Sequence, residues 1–280
     1  MFKSRPAEPL VMMQSADPAN YFDLLRVTSK PNRAYCLRHG IRYVSAHAVM
    51  HGFHALHACY NRIFFLKDLL DLGYEGWFLH LDADAYVCDL AFDLAAHLAE
   101  RRDRSFLMTH GATTEHWDIN DGIFFANCAH PDTRRLTDLW HAEVMALPQD
   151  LLRTASSWES LPNDQHLLQM LLGRNPELTK GFEYPPKTFL NTHLASFIRQ
   201  ILHLSEPDLP RRVASVALDV ERVLDQHDAP TEPLIPAIAT IARALGQPVP
   251  TDDALRGSLH GSRAALADLM QSLAAAARRG

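Results

Sequence analysis

Short apolar segments alternate with segments of helical periodicity along the first part of the chain. Apolar runs at residues 10–14, 41–46 and 77–81 predict three strands, and the third run is interrupted only by His80. Strands that alternate with helices form a mostly parallel sheet covered by helices, so the pattern predicts an α/β fold. In such sheets ligands bind beyond the carboxyl ends of the strands.

Turn and cap residues set the predicted helix boundaries. Asp17 and the proline after it predict the start of a helix, Pro31 predicts the start of a second helical piece, and Gly40 ends that piece. Apolar positions 63, 66 and 70 share one face of a further helix, which Gly73 ends. The later predicted elements are helices at 91–101, around Trp140 and at 164–172, strands at 106–109 and 119–126, and an extended stretch at 181–190.

The composition changes after about residue 205, where prolines punctuate Ala- and Leu-rich helical segments. The sequence therefore predicts an α/β domain at residues 1–204 and a helical C-terminal extension of about three helices at residues 205–280.

Two aspartates directly follow the third predicted strand. Asp82 and Asp84 are one residue apart, so in an extended strand both carboxylates would point the same way. Two carboxylates this close repel each other, and neither tolerates burial without a partner, so a positive group should lie between them. The candidates are a divalent metal ion, a pair of basic side chains or a helix N-terminus, whereas capping of the strand end would account for only one of the two aspartates.

Composition narrows the class of protein. A formal net charge of −6 argues against a nucleic-acid-binding protein, and no apolar run approaches the roughly 18 residues of a membrane span. The N-terminal ten residues lack the apolar core of a signal peptide. The four cysteines show no CxxC spacing, which predicts free thiols and a cytoplasmic protein.

Several short motifs together resemble one enzyme family. The segment LDADA at residues 81–85 resembles the (M/L)D(A/S)DA stretch of GT-A fold glycosyltransferases. More narrowly, the order of the motifs is similar to that of the galactosyl, xylosyl and mannan-type transferases of glycosyltransferase family 34. The further motifs are YNRI at 60–63, with Arg62 in place of the family's lysine; NDGIFFAN at 120–127; Trp140; NDQ at 163–165; and Thr192 with His193.

The resemblance implies a metal-dependent glycosyltransferase that retains the anomeric configuration. It implies a UDP- or GDP-sugar donor, Mn²⁺ or Mg²⁺ as cofactor, and a carbohydrate or other hydroxyl acceptor. It assigns the metal to Asp82, Asp84 and His193, with His193 favoured over His203. The implied donor-binding residues, including the end of the first strand, are Ser15, Asp17, Arg62, Asp82, Asp84, Asn120 and Gly122, and the implied catalytic residues are Asp164, Gln165 and Asp121.

Two alternatives remain open from the sequence. The first is a non-catalytic protein of the same fold that binds a nucleotide-sugar or a carbohydrate. The second is a haloacid dehalogenase-like phosphatase, although Tyr86 occupies the position that should be Thr or Val and the motif follows the third strand rather than the first. His47, His51, His54 and His57 would share one face if their segment were helical, but no Cys or carboxylate lies in register with them, so the sequence favours a solvated or acceptor-facing histidine edge over a zinc site.

Overall fold

The computed structural model describes residues 9–157, 160–202, 206–226, 239–240 and 242–244. The chain divides into two compact units, Met1–Val220 and Glu221–Gly280. The sheets, the core and the candidate site all lie in the first unit. The domain boundary predicted at residue 204 stays a prediction, and the last helix expected of the extension lies outside the described residues.

A mixed six-stranded sheet forms the centre of the first unit, in the order β2-β1-β3-β6-β5-β7. Strand β1 is parallel to β2 and β3, strand β5 is parallel to β7, and β6 is antiparallel to both β3 and β5. A second sheet has the order β4-β9-β8. The strands are β1 (Leu10–Ala16), β2 (Arg42–His47), β3 (Trp77–Leu81), β4 (Ala85–Val87), β5 (Phe106–His110), β6 (Ile119–Asn127), β7 (Phe182–Glu183), β8 (Leu190–Thr192) and β9 (Ile198–Gln200). The prediction of a mostly parallel α/β sheet flanked by helices is confirmed.

Seven α-helices are described, together with 3₁₀ segments at Ala55–Tyr60 and Pro176–Thr179. The helices are α1 (Phe22–His39), α2 (Asn61–Asp71), α3 (Leu94–Ala99), α4 (Pro131–Met145), α5 (Gln149–Thr154), α6 (Asp164–Arg174) and α7 (Leu209–Gln226).

The two predicted helical pieces before Gly40 are one helix, α1. Asp17 does not cap it; its Oδ1 accepts hydrogen bonds from the backbone N–H groups of Ala19 and Asn20 in a turn before the helix. Pro31 lies inside α1. A proline within a helix costs about 3 kcal/mol, but here it lies on a face that the fold buries along its length, and this tertiary packing holds the helix together.

The core fills the space between the central sheet and helices α2, α4 and α6. Phe78 of β3 and Phe124 of β6 lie 5.9 Å apart between ring centroids, and the Trp140 ring of α4 lies 6.2 Å from that of Phe124. All three side chains are buried. Helices α2, α4 and α6 therefore pack against this face of the sheet and hold β3 in place, and pairing with β3 fixes the end of β1.

Two further expectations concern the membrane and the cysteines. No helix in the part of the chain that the structure describes is long and apolar enough to cross a membrane. All four cysteines are buried free thiols, as the sequence predicted.

The four histidines considered for zinc do not share a helix face. His47 ends strand β2, His51 and His54 lie in the loop that follows, and His57 lies in the 3₁₀ segment. The helical periodicity was coincidental, because the strand extends as far as His47. Among the described residues no group of three or more His, Cys, Asp or Glu side chains is arranged to hold a metal ion.

Candidate active site

The two aspartates of the LDADA segment lie in a turn between β3 and β4. Strand β3 ends at Leu81, and the Ala85 N–H donates to the Asp82 carbonyl at 3.0 Å. We predicted that the two carboxylates point the same way because they occupy alternate positions along an extended strand. That explanation was wrong, because β3 ends at Leu81 and both aspartates lie in the turn after it. The turn brings the carboxylates of Asp82 and Asp84 together.

A buried polar network fixes the backbone of this turn. The Gln14 side-chain amide on β1 donates to the carbonyls of Asp82 and Ala85, both at 2.9 Å. From α1, the Thr28 hydroxyl donates to the Ala83 carbonyl at 2.7 Å, and the Asn32 amide donates to the Ala85 carbonyl at 3.2 Å. Thr28 and Asn32 are four residues apart and so lie on the same face of the helix. Hydrogen bonds within the protein therefore fix the backbone of this turn.

Arg62, in the first turn of α2, sits among three carboxylates. Its Nη2 lies 2.5 Å from Asp82 Oδ1, its Nη1 lies 3.2 Å from Asp121 Oδ1, and its Nε lies 2.8 Å from Asp164 Oδ2. Nη1 also donates to the Asp121 carbonyl at 2.6 Å. Each nitrogen of this buried guanidinium thus faces a carboxylate, and one cation joins the ends of β3, β6 and α6.

Asp84 has different partners. The Gln200 side-chain amide on β9 donates to Asp84 Oδ1 at 2.8 Å and to Asp82 Oδ2 at 3.2 Å, so it bridges the pair. Arg212 of α7 places its Nη1 3.7 Å from Asp84 Oδ2. Of the positive partners that the sequence left open, the structure provides basic side chains: Arg62 for Asp82 and Arg212 for Asp84.

The cluster holds more carboxylates than cations. Among the described residues, the carboxylates of Asp82, Asp84, Asp121 and Asp164 face two guanidinium groups, those of Arg62 and Arg212. Burial and the neighbouring charge of Asp82 raise the pKa of Asp84 to about 7. Burial likewise raises the pKa of Asp164 and raises that of Asp121 well above its usual range. Burial opposes ionisation of Asp82 too, but the Arg62 charge keeps its pKa below the usual range.

A cavity of about 480 Å³ opens at the carboxyl ends of β1 and β3. It lies where open α/β sheets bind their ligands. The predicted site residues that line it are Ser15, Asp17, Arg62, Asp82, Asp84, Asp121, Asp164 and Gln165. Eight of the residues singled out from the sequence therefore converge on one cavity.

Gly122 lies behind the aspartate pair. Its carbonyl accepts the Asp82 N–H at 2.8 Å, and its N–H donates to Asn120 Oδ1 at 2.9 Å. A Cβ atom at this position would lie 2.8 Å from Asp82 Oδ2 and 3.0 Å from the Gln200 amide. A side chain here would therefore push the Asp82 carboxylate and the Gln200 amide away from the positions they occupy beside β6. Asn120 itself does not line the cavity.

His193 is not brought to the aspartates. It is exposed, in the turn after β8, and is not among the residues that line the cavity. Its role as a metal ligand stays a prediction from the resemblance. His203 lies outside the described residues.

Sequence reasoning missed Gln200 and Arg212. Gln200 reaches the pair because β9 is antiparallel to β4, with Ala85 opposite Gln200. Arg212 reaches it from the helical segment that the change in composition assigned to a separate extension. Neither position carries a local motif, so only the fold identifies them. Asp164 is the first residue of α6, where the sequence predicted a helix to begin, and Asn163 caps this helix through its Oδ1.

The residues present fit a hard divalent cation. Such ions are held by one or two carboxylates together with substrate phosphates. Asp82 and Asp84 offer two carboxylates at the cavity wall, and the buried Gln200 Oε1 beside them has no hydrogen-bond partner among the described residues. Two positive charges would balance the surplus of carboxylates over guanidinium groups.

Comparisons with known proteins give one informative likeness. No family model and no curated protein matches the chain. A crystal structure of a glycosyltransferase involved in the glycosylation of the major capsid of PBCV-1 is similar, with a TM-score of 0.55 and 15% identity over 75% of this chain and 98% of that chain. The glycosyltransferase GlyE of Streptococcus pneumoniae TIGR4, in its apo form, has a TM-score of only 0.41 and 13% identity over 64% of this chain and 46% of that chain. At these values the first likeness bears on the fold alone, and the second carries no argument.

Proposed function

We propose that this chain is a glycosyltransferase of the GT-A type, which moves a sugar from a UDP- or GDP-sugar to a hydroxyl group of an acceptor such as a carbohydrate. One observation carries the proposal: four carboxylates converge on a cavity at the carboxyl ends of two parallel strands. The fold shared with a solved glycosyltransferase agrees with this reading.

Asp82 and Asp84 are the residues that would hold Mn²⁺ or Mg²⁺. When bound, the ion neutralises the diphosphate that leaves the sugar. The buried network of Gln14, Thr28 and Asn32 keeps the two carboxylates in place, so binding requires little rearrangement of the turn.

The nucleoside end of the donor would lie against the end of β1. Ser15 and Asp17 line the cavity there, and the Asp17 side chain holds its own turn through two backbone N–H groups. This turn gives a fixed, polar wall next to the aspartate pair, as the crevice of an open α/β sheet requires.

The sugar end would lie toward Asp121, Asp164 and Gln165. Gln165 Oε1 accepts the Asp121 N–H at 3.4 Å, and Asp164 is tied to Arg62. We assign the reaction to retention of configuration, on the family resemblance, with Gln165 as the polar group beside the reacting carbon and Asp164 placing the sugar. The competing assignment is inversion with Asp164 as general base.

The test is a screen of UDP- and GDP-sugars with Mn²⁺, read as thermal stabilisation and as release of nucleoside diphosphate. A donor present at 100 times its dissociation constant stabilises the fold by about 2.7 kcal/mol. That corresponds to a melting shift of about 5–10 °C for a protein of this size class. Asp84→Asn should remove the effect, and Asp103→Asn, which changes an exposed aspartate, should not.

Two results would redirect the proposal. Stabilisation by a nucleotide-sugar without any turnover, with or without an acceptor, would indicate a non-catalytic binding protein. Hydrolysis of a simple phosphomonoester that depends on Asp82, with no response to nucleotide-sugars, would indicate a phosphatase.

A further inference from the structure

Helix α7 brings a cation into the candidate active site. Residues 209–220 of this helix belong to the first unit, and their buried positions Arg212, Val216 and Val220 are spaced four residues apart. Asp219 fixes the helix to the small sheet: Arg199 Nη1 on β9 and the Tyr86 hydroxyl on β4 contact its Oδ2 at 2.7 and 2.5 Å. The packing of α7 and the contacts of Asp219 therefore fix the part of the helix backbone that carries Arg212.

The guanidinium of Arg212 is buried but poorly satisfied. The residue is 1% exposed and lines the cavity. Its Nη2 donates to the Tyr21 hydroxyl at 3.1 Å, its Nη1 is 3.7 Å from Asp84 Oδ2, and its Nε has no hydrogen-bond partner among the described residues. A distance of 3.7 Å is too long for a hydrogen bond, and a buried N–H without a partner is costly.

The guanidinium of Arg62, in the same cavity, has polar partners at every nitrogen, unlike that of Arg212. Each of its nitrogens faces a carboxylate at 3.2 Å or less. The guanidinium of Arg62 is therefore already bound by protein groups, and the donor-binding role that the resemblance implied for Arg62 would have to compete with three carboxylates. Arg212 has unused donors at the cavity wall.

We propose that Arg212 is a direct ligand of the donor's diphosphate, supplied to the site by α7. This inference rests on the proposed function and deepens it. A planar guanidinium matches two phosphate oxygens in a bidentate contact. During transfer the bond between the anomeric carbon and the phosphate oxygen breaks, and the electron pair stays on that oxygen. The acceptor's hydroxyl oxygen bonds to the anomeric carbon, and the hydroxyl proton passes to the released diphosphate. Arg212 lines the same cavity as the aspartate pair and would stabilise that added negative charge. Asp82 and Asp84 would hold the metal ion, which would balance the Asp84 charge that Arg212 faces at 3.7 Å.

The test measures binding in the presence of Mn²⁺ by calorimetry, with UDP, GDP and inorganic pyrophosphate as probes, and uridine and guanosine as probes without phosphate. Arg212→Gln should weaken pyrophosphate and the preferred nucleotide by at least tenfold and leave the nucleoside unchanged. Arg212→Lys keeps the charge beside Asp84 and should recover part of the affinity. The matched control is Arg211→Gln, which changes the exposed neighbour on the same helix.

The outcomes separate this inference from the proposed function. If the wild type binds UDP or GDP and the Arg212 variants bind it and pyrophosphate equally well, Arg212 is only structural and the inference fails alone. If the wild type binds neither nucleotide, both fail. If Arg212→Gln does not fold, the comparison of Arg212→Lys with the wild type decides: unchanged pyrophosphate affinity in the lysine variant overturns the inference.

Discussion

Replacing Arg62 by Met tests whether its positive charge stabilises the fold by balancing the carboxylates around it. Methionine keeps much of the length of the side chain but removes the charge that faces Asp82, Asp121 and Asp164. The side chains of Asp121 and Asp164 are buried, so water cannot replace the lost cation there, whereas the Asp82 side chain is 31% exposed. Removing one partner of a buried ion pair costs about 3–5 kcal/mol. For a domain of this size such a loss lowers the melting temperature by about 6–20 °C.

The matched control is Lys67→Met on the same helix. Lys67 Nζ contacts Asp71 and Asp138 at the surface, at 2.5 and 3.4 Å. Surface ion pairs of this kind contribute about 0–1 kcal/mol, so the control should melt within a few degrees of the wild type.

The effect of Arg62→Met should also depend on pH. The pKa values of Asp121 and Asp164 are already raised by burial, and removal of the cation raises them further. A carboxyl that is forced to ionise in the folded state destabilises it more as pH rises. Urea unfolding at pH 5 and pH 8 should therefore show a larger loss in the variant at pH 8. A loss no greater than that of Lys67→Met, or one that is the same at both pH values, would refute this reasoning.

Two further predictions concern chemistry and acid stability. Asp164→Asn should keep appreciable transfer activity under retention, and NMR of the product from an α-linked donor should show an α linkage; a β-linked product with activity lost in this variant would assign inversion with Asp164 as base. Burial, together with the Arg62 charge, lowers the pKa of His80 to about 4. The neutral histidine therefore contributes stability that is complete above its unfolded pKa of about 6.5 and decreases by about 3 kcal/mol as pH falls to 4. His80→Gln should remove that part of the pH dependence in urea unfolding, and an unchanged profile would show that His80 does not limit acid stability.

The strands and the residues at their ends could be predicted because their signals are local. The run at residues 77–81 is apolar on both faces, and β3 has those bounds. Asp82, Asp84, Asp121 and Asp164 were assigned from short motifs, and the sheet brings them to one cavity. Parallel topology alone places the ends of β1 and β3 side by side, so this part of the site follows from the fold class.

The partners of these carboxylates could not be predicted, because they depend on contacts between distant segments. Gln200 lies 116 residues from Asp84 along the chain and reaches it only through the pairing of β9 with β4. Arg212 was not considered for the site, because the change in composition assigned its segment to a separate extension, whereas the fold places it beside Asp84. The misassigned break at Pro31 has a similar origin, because a local proline signal was outweighed by burial of the helix face that carries Thr28 and Asn32.

The central claim is that the aspartate pair serves sugar transfer from a nucleotide-sugar. The most direct measurement is release of nucleoside diphosphate from a panel of UDP- and GDP-sugars with Mn²⁺, for the wild type, Asp82→Ala and Asp84→Ala, with melting curves to verify folding. We predict release from at least one donor by the wild type, and loss of that release in both variants while they remain folded, because the turn that carries the pair is held largely through backbone carbonyls. Undiminished release in both variants, or no release and no thermal stabilisation by any donor with the wild type, would contradict the account.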